Sequence, residues 1–301
     1  DLRLCGTLSR PTPADRGPDG VIEAMVSAAR ELMEREGSSD GRVAGVGIGS
    51  PGPLDLAEGM VLGMPNIPGF DHVPLRDRVG EGLGLPAVLE NDANAAALGE
   101  FLVGRGRDVR HMVMLTLGTG VGSGIVIDGR LLHGAHGVGA ELGHLIVEAD
   151  GEPCGCGQRG CLERYASATY LADYARRLIE NGGRSGPLAE RLAANGRIDA
   201  RDVQQARAAR DETAVQAWDR AVRHLAIGCL SIARMLDPEM IVFGGGMAAA
   251  GDDLMGPLRE RFEAEHWDLS PIRTELALAE LGGDAGVIGA AGAAWRQFDQ
   301  A

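Results

Sequence analysis

Glu141-Leu-Gly-His144, nine residues, then Cys154-Gly-Cys156-Gly-Gln-Arg-Gly-Cys161-Leu-Glu163 is the stretch on which the reading of this chain turns. Three of the 5 cysteines fall within it, spaced by glycines, with a histidine close upstream. One imidazole and three thiolates are the ligand count and type of a closed tetrahedral zinc site, which points to His144, Cys154, Cys156 and Cys161 as metal ligands. Gly155, Gly157 and Gly160 let so short a loop fold back on itself. The alternative is a surface loop with free or disulfide-bonded cysteines, although Cys154 and Cys156 are too close in sequence to pair comfortably. The spacing is not that of a CxxC…CxxC ribbon, so no DNA-binding finger is implied. Four protein ligands leave no open position for a catalytic water, so the zinc is expected to be structural.

Glu141 and Glu163 bracket this loop, and a metal that fixes the loop also fixes where both carboxylates point. An imidazole bound to metal through one nitrogen usually offers its other N–H to an oxygen. Glu141, His144 and Glu163 therefore make a candidate clamp for a polyhydroxylated ligand, against the plainer reading of two solvated glutamates. Together, Gly139-Ala-Glu-Leu-Gly-His144 and the cysteine run through Glu163 resemble the signature of the ROK family. That family of sugar kinases and sugar-responsive repressors lies within the actin/hexokinase-like ATPase superfamily. The likeness is closest to its bacterial ATP-dependent glucokinases and runs nearly the length of the chain.

Composition narrows the choices independently. With 301 residues, 45% of them hydrophobic, the chain can bury one large core or two moderate ones. A formal charge of −14 argues against nucleic acid and against anionic membranes. No apolar run reaches transmembrane length, and the start does not read as a signal peptide. Cysteine usage suits a reducing compartment, with Cys5 and Cys229 as isolated small hydrophobes, and the expected location is cytoplasmic.

Upstream of the loop, Asp1–Leu8 alternates apolar and polar residues like a strand. The resemblance implies a strand, a DxGGT phosphate turn and a second strand at the start. These first phosphate-turn strands are absent from the chain as given, and its catalytic competence hinges on them. Asp19 to Glu36 carries a helical apolar stripe. Arg42 to Ile48 reads as a buried strand ending in the Gly49–Asp55 loop, at the kind of strand end where ligands of α/β sheets gather. Asn66-Ile-Pro-Gly69 is a turn that approaches the sugar in the resembling kinases, which makes Asn66 a substrate-binding candidate; plain turn chemistry explains it equally well. The strand Pro86–Glu90 runs into the alanine-rich helix that opens with Asn91 and Asp92. On residues alone Asp92 reads as the cap of that helix. The resemblance implies instead that Asp92 is the catalytic base and that Asn91 binds a neighbouring sugar hydroxyl.

Downstream, the apolar strand His111–Leu117 leads into Gly118-Thr119-Gly120 and a hairpin closed at Asp128-Gly129. Close-set glycines let backbone N–H groups approach phosphate oxygens. The turn is neither a Walker loop nor a dinucleotide fingerprint, and by resemblance it is the second phosphate turn. Ser167 caps a helix through Leu178. Glu212–Leu236 is long and amphipathic, with Trp218, Val222, Leu225, Ile227, Leu230, Ile232 and Met235 expected inward and His224 an ordinary helix residue. The strand Met240–Phe243 ends in Gly244, Gly245 and Gly246, which lie against the adenosine in the resembling kinases. A last strand, Thr274–Ala279, and a small-residue helix, Ala285–Phe298, complete an alternating α/β pattern.

The expected fold is thus α/β, of the actin/hexokinase-like ATPase type, with two lobes around a cleft. The small lobe would comprise residues 1–91 plus 286–301, and the large lobe residues 92–285 with the zinc loop 144–161. The resemblance implies ATP-dependent phosphorylation of a hexose, foremost glucose to glucose 6-phosphate, with ATP, Mg2+ and structural Zn2+ as cofactors and a homodimer as the assembly. Polyphosphate is an alternative donor among relatives. The alternatives in function are a kinase for N-acetylmannosamine, N-acetylglucosamine, fructose or allose, and a non-catalytic sugar-sensing domain of a ROK-type transcriptional regulator. Nothing here resembles a basic recognition helix.

Overall fold

A computed structural model describes residues 4–36, 43–64, 67–182, 185–265, 271 and 273–298. In chain order these residues form α1 (Gly17–Arg35), β1 (Val46–Ser50), two short strands, β2 (Leu54–Asp55) and β3 (Met60–Val61), and α2 (Leu75–Leu83). β4 (Ala87–Asn91) passes without a break into α3 (Asp92–Val103). Next come β5 (Met112–Leu117), β6 (Val121–Ile127) and β7 (Arg130–Leu131), and then α4 (Glu163–Ala166) and α5 (Ala168–Gly182). α6 (Pro187–Asn195), α7 (Ala200–Ala208) and the long α8 (Glu212–Leu236) precede β8 (Met240–Gly244) and α9 (Asp252–Ala264). β9 (Glu275–Leu278) and α10 (Ala285–Phe298) end the series.

The chain divides into two units. The first takes residues 1–107, 131–139 and 283–301. In it β1 and β4 pair in parallel, from Val46 opposite Ala87 to Ser50 opposite Asn91. α3 belongs to this unit because it packs along α10 at backbone distance: a methyl group added at Gly289 would lie 1.6 Å from the Ala95 carbonyl oxygen. Only small residues permit that approach, and both helices are built from alanine and glycine along the seam. Val21, Ile22, Ile48, Val61, Phe70, Val73, Val79 and Leu89 form the core of the unit.

The second unit takes residues 108–130 and 140–282. Its five-stranded sheet has the order β7-β6-β5-β8-β9, with β5 antiparallel to β6 and parallel to β8, and β8 parallel to β9. Every residue of β8 is buried, as is nearly every one of β5. Continuous apolar runs such as Met112–Leu115 are what a strand covered on both faces requires. Trp218, Val222, Leu225 and Ile232 of α8 belong to one core with Leu115, Ile241 and Phe243.

Two expectations are corrected. The residues Leu4–Leu8 have no regular structure, since their alternating pattern finds no partner strand among the described residues; Asp1 to Arg3 lie outside them. Met235 is 62% exposed, because it turns away from the helix face that carries Ile232, Ala233 and Leu236 to the core. No helix among the described residues is long and apolar enough to cross a membrane.

Candidate active site

The Asn91–Asp92 pair sits where β4 becomes α3. Asn91, not Asp92, caps the helix: its Oδ1 accepts the N–H groups of Ala93 at 3.0 Å and Asn94 at 3.1 Å. An Asn oxygen in the N-cap position satisfies donors that the first helical turn leaves unpaired. The Asn91 side-chain NH2 remains as a donor. Asp92 is the first helical residue and is exposed; its Oδ1 accepts the Ala93 N–H at 2.8 Å, and its Oδ2 has no partner among the described residues. The expectation from residue type alone, Asp92 as cap, is therefore overturned, and its carboxylate is available for other work. Asn66 lies outside the described residues.

Directly before this pair stands Glu90, a buried acid. It accepts the Asn91 N–H at 2.9 Å and the Asn94 side-chain amide at 3.1 Å, while His133 Nε2–H donates to its other oxygen at 2.7 Å. That hydrogen bond raises the His133 pKa above its ordinary value, against the effect of burial. Sequence reading passed over Glu90 and His133. The available signal was a charged residue at the end of an otherwise apolar strand.

In the second unit the two glycine turns lie side by side, because β5 and β8 are parallel neighbours and both turns leave from their carboxyl ends. Gly245 has a φ of 83°, and a methyl group there would lie 2.7 Å from the Leu117 carbonyl oxygen. The Met247 N–H donates to that same oxygen at 3.0 Å. Gly118 and Gly120 close their own turn through a 3.0 Å backbone hydrogen bond, and the Gly118 carbonyl accepts the first N–H of α5, from Ala168, at 2.8 Å. Thr119 at the tip is exposed.

The Gly118–Gly120 turn is also fastened to the cysteine loop. Glu163, the first residue of α4, accepts the Val121 N–H at 3.0 Å. Ser123 on β6 donates to the Ala140 carbonyl and accepts the Leu142 N–H at 2.9 Å, so it holds the segment that presents Glu141 and His144. Ala140 itself has a φ of 68°, a left-handed conformation that costs a non-glycine residue about 1–2 kcal/mol. Glu141 is exposed, and the 3-10 turn Leu142–His144 follows it.

His144, Cys154, Cys156 and Cys161 each place a ligand atom within 4.8 Å of the others. Cys156 Sγ and Cys161 Sγ are 3.7 Å apart, and Cys154 Sγ lies 3.8 Å from His144 Nδ1. Sulfurs at about 2.3 Å from one tetrahedral zinc would stand roughly 3.8 Å from each other. The donor set therefore fits zinc in type, number and spacing, and none of the three cysteines is in a disulfide. Gln158 backbone and side-chain groups lower the Cys156 thiol to about 7, whereas burial and the neighbouring thiols push Cys161 up to about 12. A bound cation reverses that opposition to a second and third thiolate.

Gly160 makes the loop possible: its φ is 75°, and a methyl group there would lie 1.7 Å from the Glu148 carbonyl oxygen. Gly155, by contrast, has open space around it. Glu152, inside the loop, is held by Arg177 at 3.1 Å, Arg220 at 3.4 Å and Arg164 at 4.0 Å. Burial works against its ionisation, yet these guanidinium groups hold its pKa below the usual range. His224 lies inside α8, as expected, and is buried there. It is 6% exposed and stacks on Tyr165 with ring centroids 4.0 Å apart.

The sequence profile of the ROK family matches residues 8–297. A glucokinase of Thermotoga maritima is 40% identical over 97% of this chain and 90% of its own length. A ROK hexokinase structure from Thermus thermophilus superposes with a TM-score of 0.81 at 34% identity, covering 98% of this chain and 91% of that one. A ROK family glucokinase from Streptomyces griseus, solved with glucose and AMPPNP, has a TM-score of 0.78 at 36% identity, over 98% of this chain and 93% of that one.

Proposed function

The chain belongs to the ROK family, and from that premise we propose that it is a glucokinase, transferring the γ-phosphoryl group of ATP to glucose. The relatives with this activity span nearly the whole chain, and the expected fold is the one they share. The observation that carries the reading is the division of labour at the start of α3, where Asn91 caps the helix and one Asp92 carboxylate oxygen has no partner among the described residues.

A glucose hydroxyl oxygen attacks the γ-phosphorus, the bond to the bridging oxygen breaks and ADP leaves. Asp92 accepts the proton of the attacking hydroxyl as the new O–P bond forms, and later releases it to solvent. The Asn91 NH2 donates to a neighbouring hydroxyl. Glu141, His144 and Glu163 bind further sugar hydroxyls, and carboxylates suit that task because each oxygen accepts from an O–H. Gly118, Thr119 and Gly120 receive phosphate, and Gly244, Gly245 and Gly246 face the adenosine. Mg2+ bound with the nucleotide would shield charge on its phosphates. Zinc held by His144, Cys154, Cys156 and Cys161 would supply rigidity rather than reactivity, since all four positions are filled by protein. The acidic, thiol-containing chain is read as a cytoplasmic homodimer, and light scattering of the purified protein tests the assembly.

Coupled detection of ADP against glucose, mannose, fructose, allose, N-acetylglucosamine and N-acetylmannosamine tests the acceptor. Glucose should give the highest kcat/KM, and Asp92→Asn should lower kcat by about 10²–10⁴-fold. Near-normal turnover by the Asp92→Asn protein would rule Asp92 out as the base.

A further inference from the structure

The residue that precedes the Asn91–Asp92 pair is a charge where packing calls for none. Glu90 is 4% exposed, at the end of a strand whose preceding residues, Ala87 to Leu89, are apolar. Burying a carboxylate is costly unless its hydrogen bonds are filled, and an apolar side chain of similar size would pack β4 without that cost. Here they are filled. Both oxygens are used, one by the Asn91 N–H and the Asn94 amide, the other by His133. Neither oxygen is left for a ligand.

Two of these three partners flank Asp92 in the sequence: Asn91, the N-cap of α3, and Asn94, in its first turn. The third, His133, comes from residues 131–139, the segment that leads the chain on toward Glu141. Glu90 and His133 share the wall of a cavity of about 690 Å³ with Asp55, Arg76 and His136. The His133 side chain is 38% exposed while that of Glu90 is 6% exposed, so solvent reaches the ring and not the carboxylate.

We propose that Glu90, anchored by His133, is a positioning residue for the base: it fixes the backbone of Asn91 and the side chain of Asn94, so that the Asp92 carboxylate keeps its aim on the attacking hydroxyl. This rests on the reading of Asp92 as the base. A displacement of about 1 Å at such a group is enough to cost a large factor in rate.

The test compares Glu90→Ala, Glu90→Gln and His133→Ala with wild type by amide hydrogen exchange over residues 91–94 and by ADP release with glucose. Glutamine keeps a carbonyl oxygen for Asn91 and Asn94, and its NH2 can face a His133 ring in the other tautomer. Exchange should be faster by about tenfold or more in the two alanine variants and close to wild type in Glu90→Gln. In the alanine variants kcat should fall by about tenfold or more, with most of it recovered in Glu90→Gln. Adding Glu90→Ala to Asp92→Asn should cause no further loss, since the group being positioned is already gone. His133→Ala alters a half-exposed side chain and serves if Glu90→Ala fails to fold. Unchanged exchange in both alanine variants overturns the proposal, as does a kcat that stays within about twofold of wild type in a protein that turns over glucose. Altered exchange in a chain that phosphorylates no hexose would sustain the positioning role and defeat the kinase reading instead.

Discussion

Glu163 accepts the Val121 N–H at 3.0 Å, and the same carboxylate oxygen occupies the space a side chain at position 120 would need, 2.3 Å from an added methyl group. A residue assigned to the sugar therefore buttresses the turn assigned to the phosphates. Only a glycine at 120 lets the two meet.

Gly120→Ala should weaken glucose binding even with no nucleotide present, because the carboxylate must swing away from Val121. The expected rise in the glucose dissociation constant is about 10–100-fold. Calorimetry on the nucleotide-free protein, with circular dichroism as a check on folding, measures it. An unchanged glucose affinity would mean that the contact carries nothing between the two ligands.

Ser123→Ala should strand the Leu142 N–H and the Ala140 carbonyl, at a cost of about 1–3 kcal/mol in stability. Chemical denaturation measures that loss. The KM for glucose should rise in parallel, since Ala140 holds its left-handed backbone beside Glu141 with the help of this hydroxyl.

Zinc removal should loosen the sugar side first. A chelator used under reducing conditions should release about one zinc per chain, lower the melting temperature by several degrees and raise the KM for glucose about tenfold or more. Elemental analysis and a melting scan follow the first two, and added zinc should restore all three. Protein that carries no zinc as purified yet melts normally would refute the assignment.

The His133–Glu90 contact predicts a pH-dependent contribution to stability. Because the folded-state pKa of His133 is raised from 6.5, the contribution is fully present below that value and is lost as pH rises through the higher folded value. The melting-temperature difference between wild type and Glu90→Gln should therefore narrow on going from about pH 5.5 to pH 8.5. Asp55, Arg76 and His136 line the same cavity and remain in both proteins, so their effects cancel in the difference.

Much of the metal centre was legible in the chain because metal chemistry demands particular atoms: three thiols and an imidazole in a short span have few other uses. The glycine turns were legible for a similar reason, since close backbone approach admits few residue types. Glu90, His133, Ser123 and Glu152 were not. Their significance comes from what folding brings beside them, as with Glu90 and His133, which meet through strand pairing and a returning segment. Asp92 was misjudged on residue type because Asn and Asp are equally good caps, and only the backbone decides which of two neighbours takes the position. The strand expected over the first residues failed because alternation describes a side-chain pattern and says nothing about whether an edge is present to receive it.

The close seam between α3 and α10 makes α10 a splint for chemistry encoded far upstream. Removing α10 would strip the bracing from the element that carries Asn91 and Asp92 while deleting none of the proposed ligands of sugar, nucleotide and metal from the sequence. A ribosome that stalled before Ala285 would thus release a polypeptide equipped with its binding groups and without a steady base.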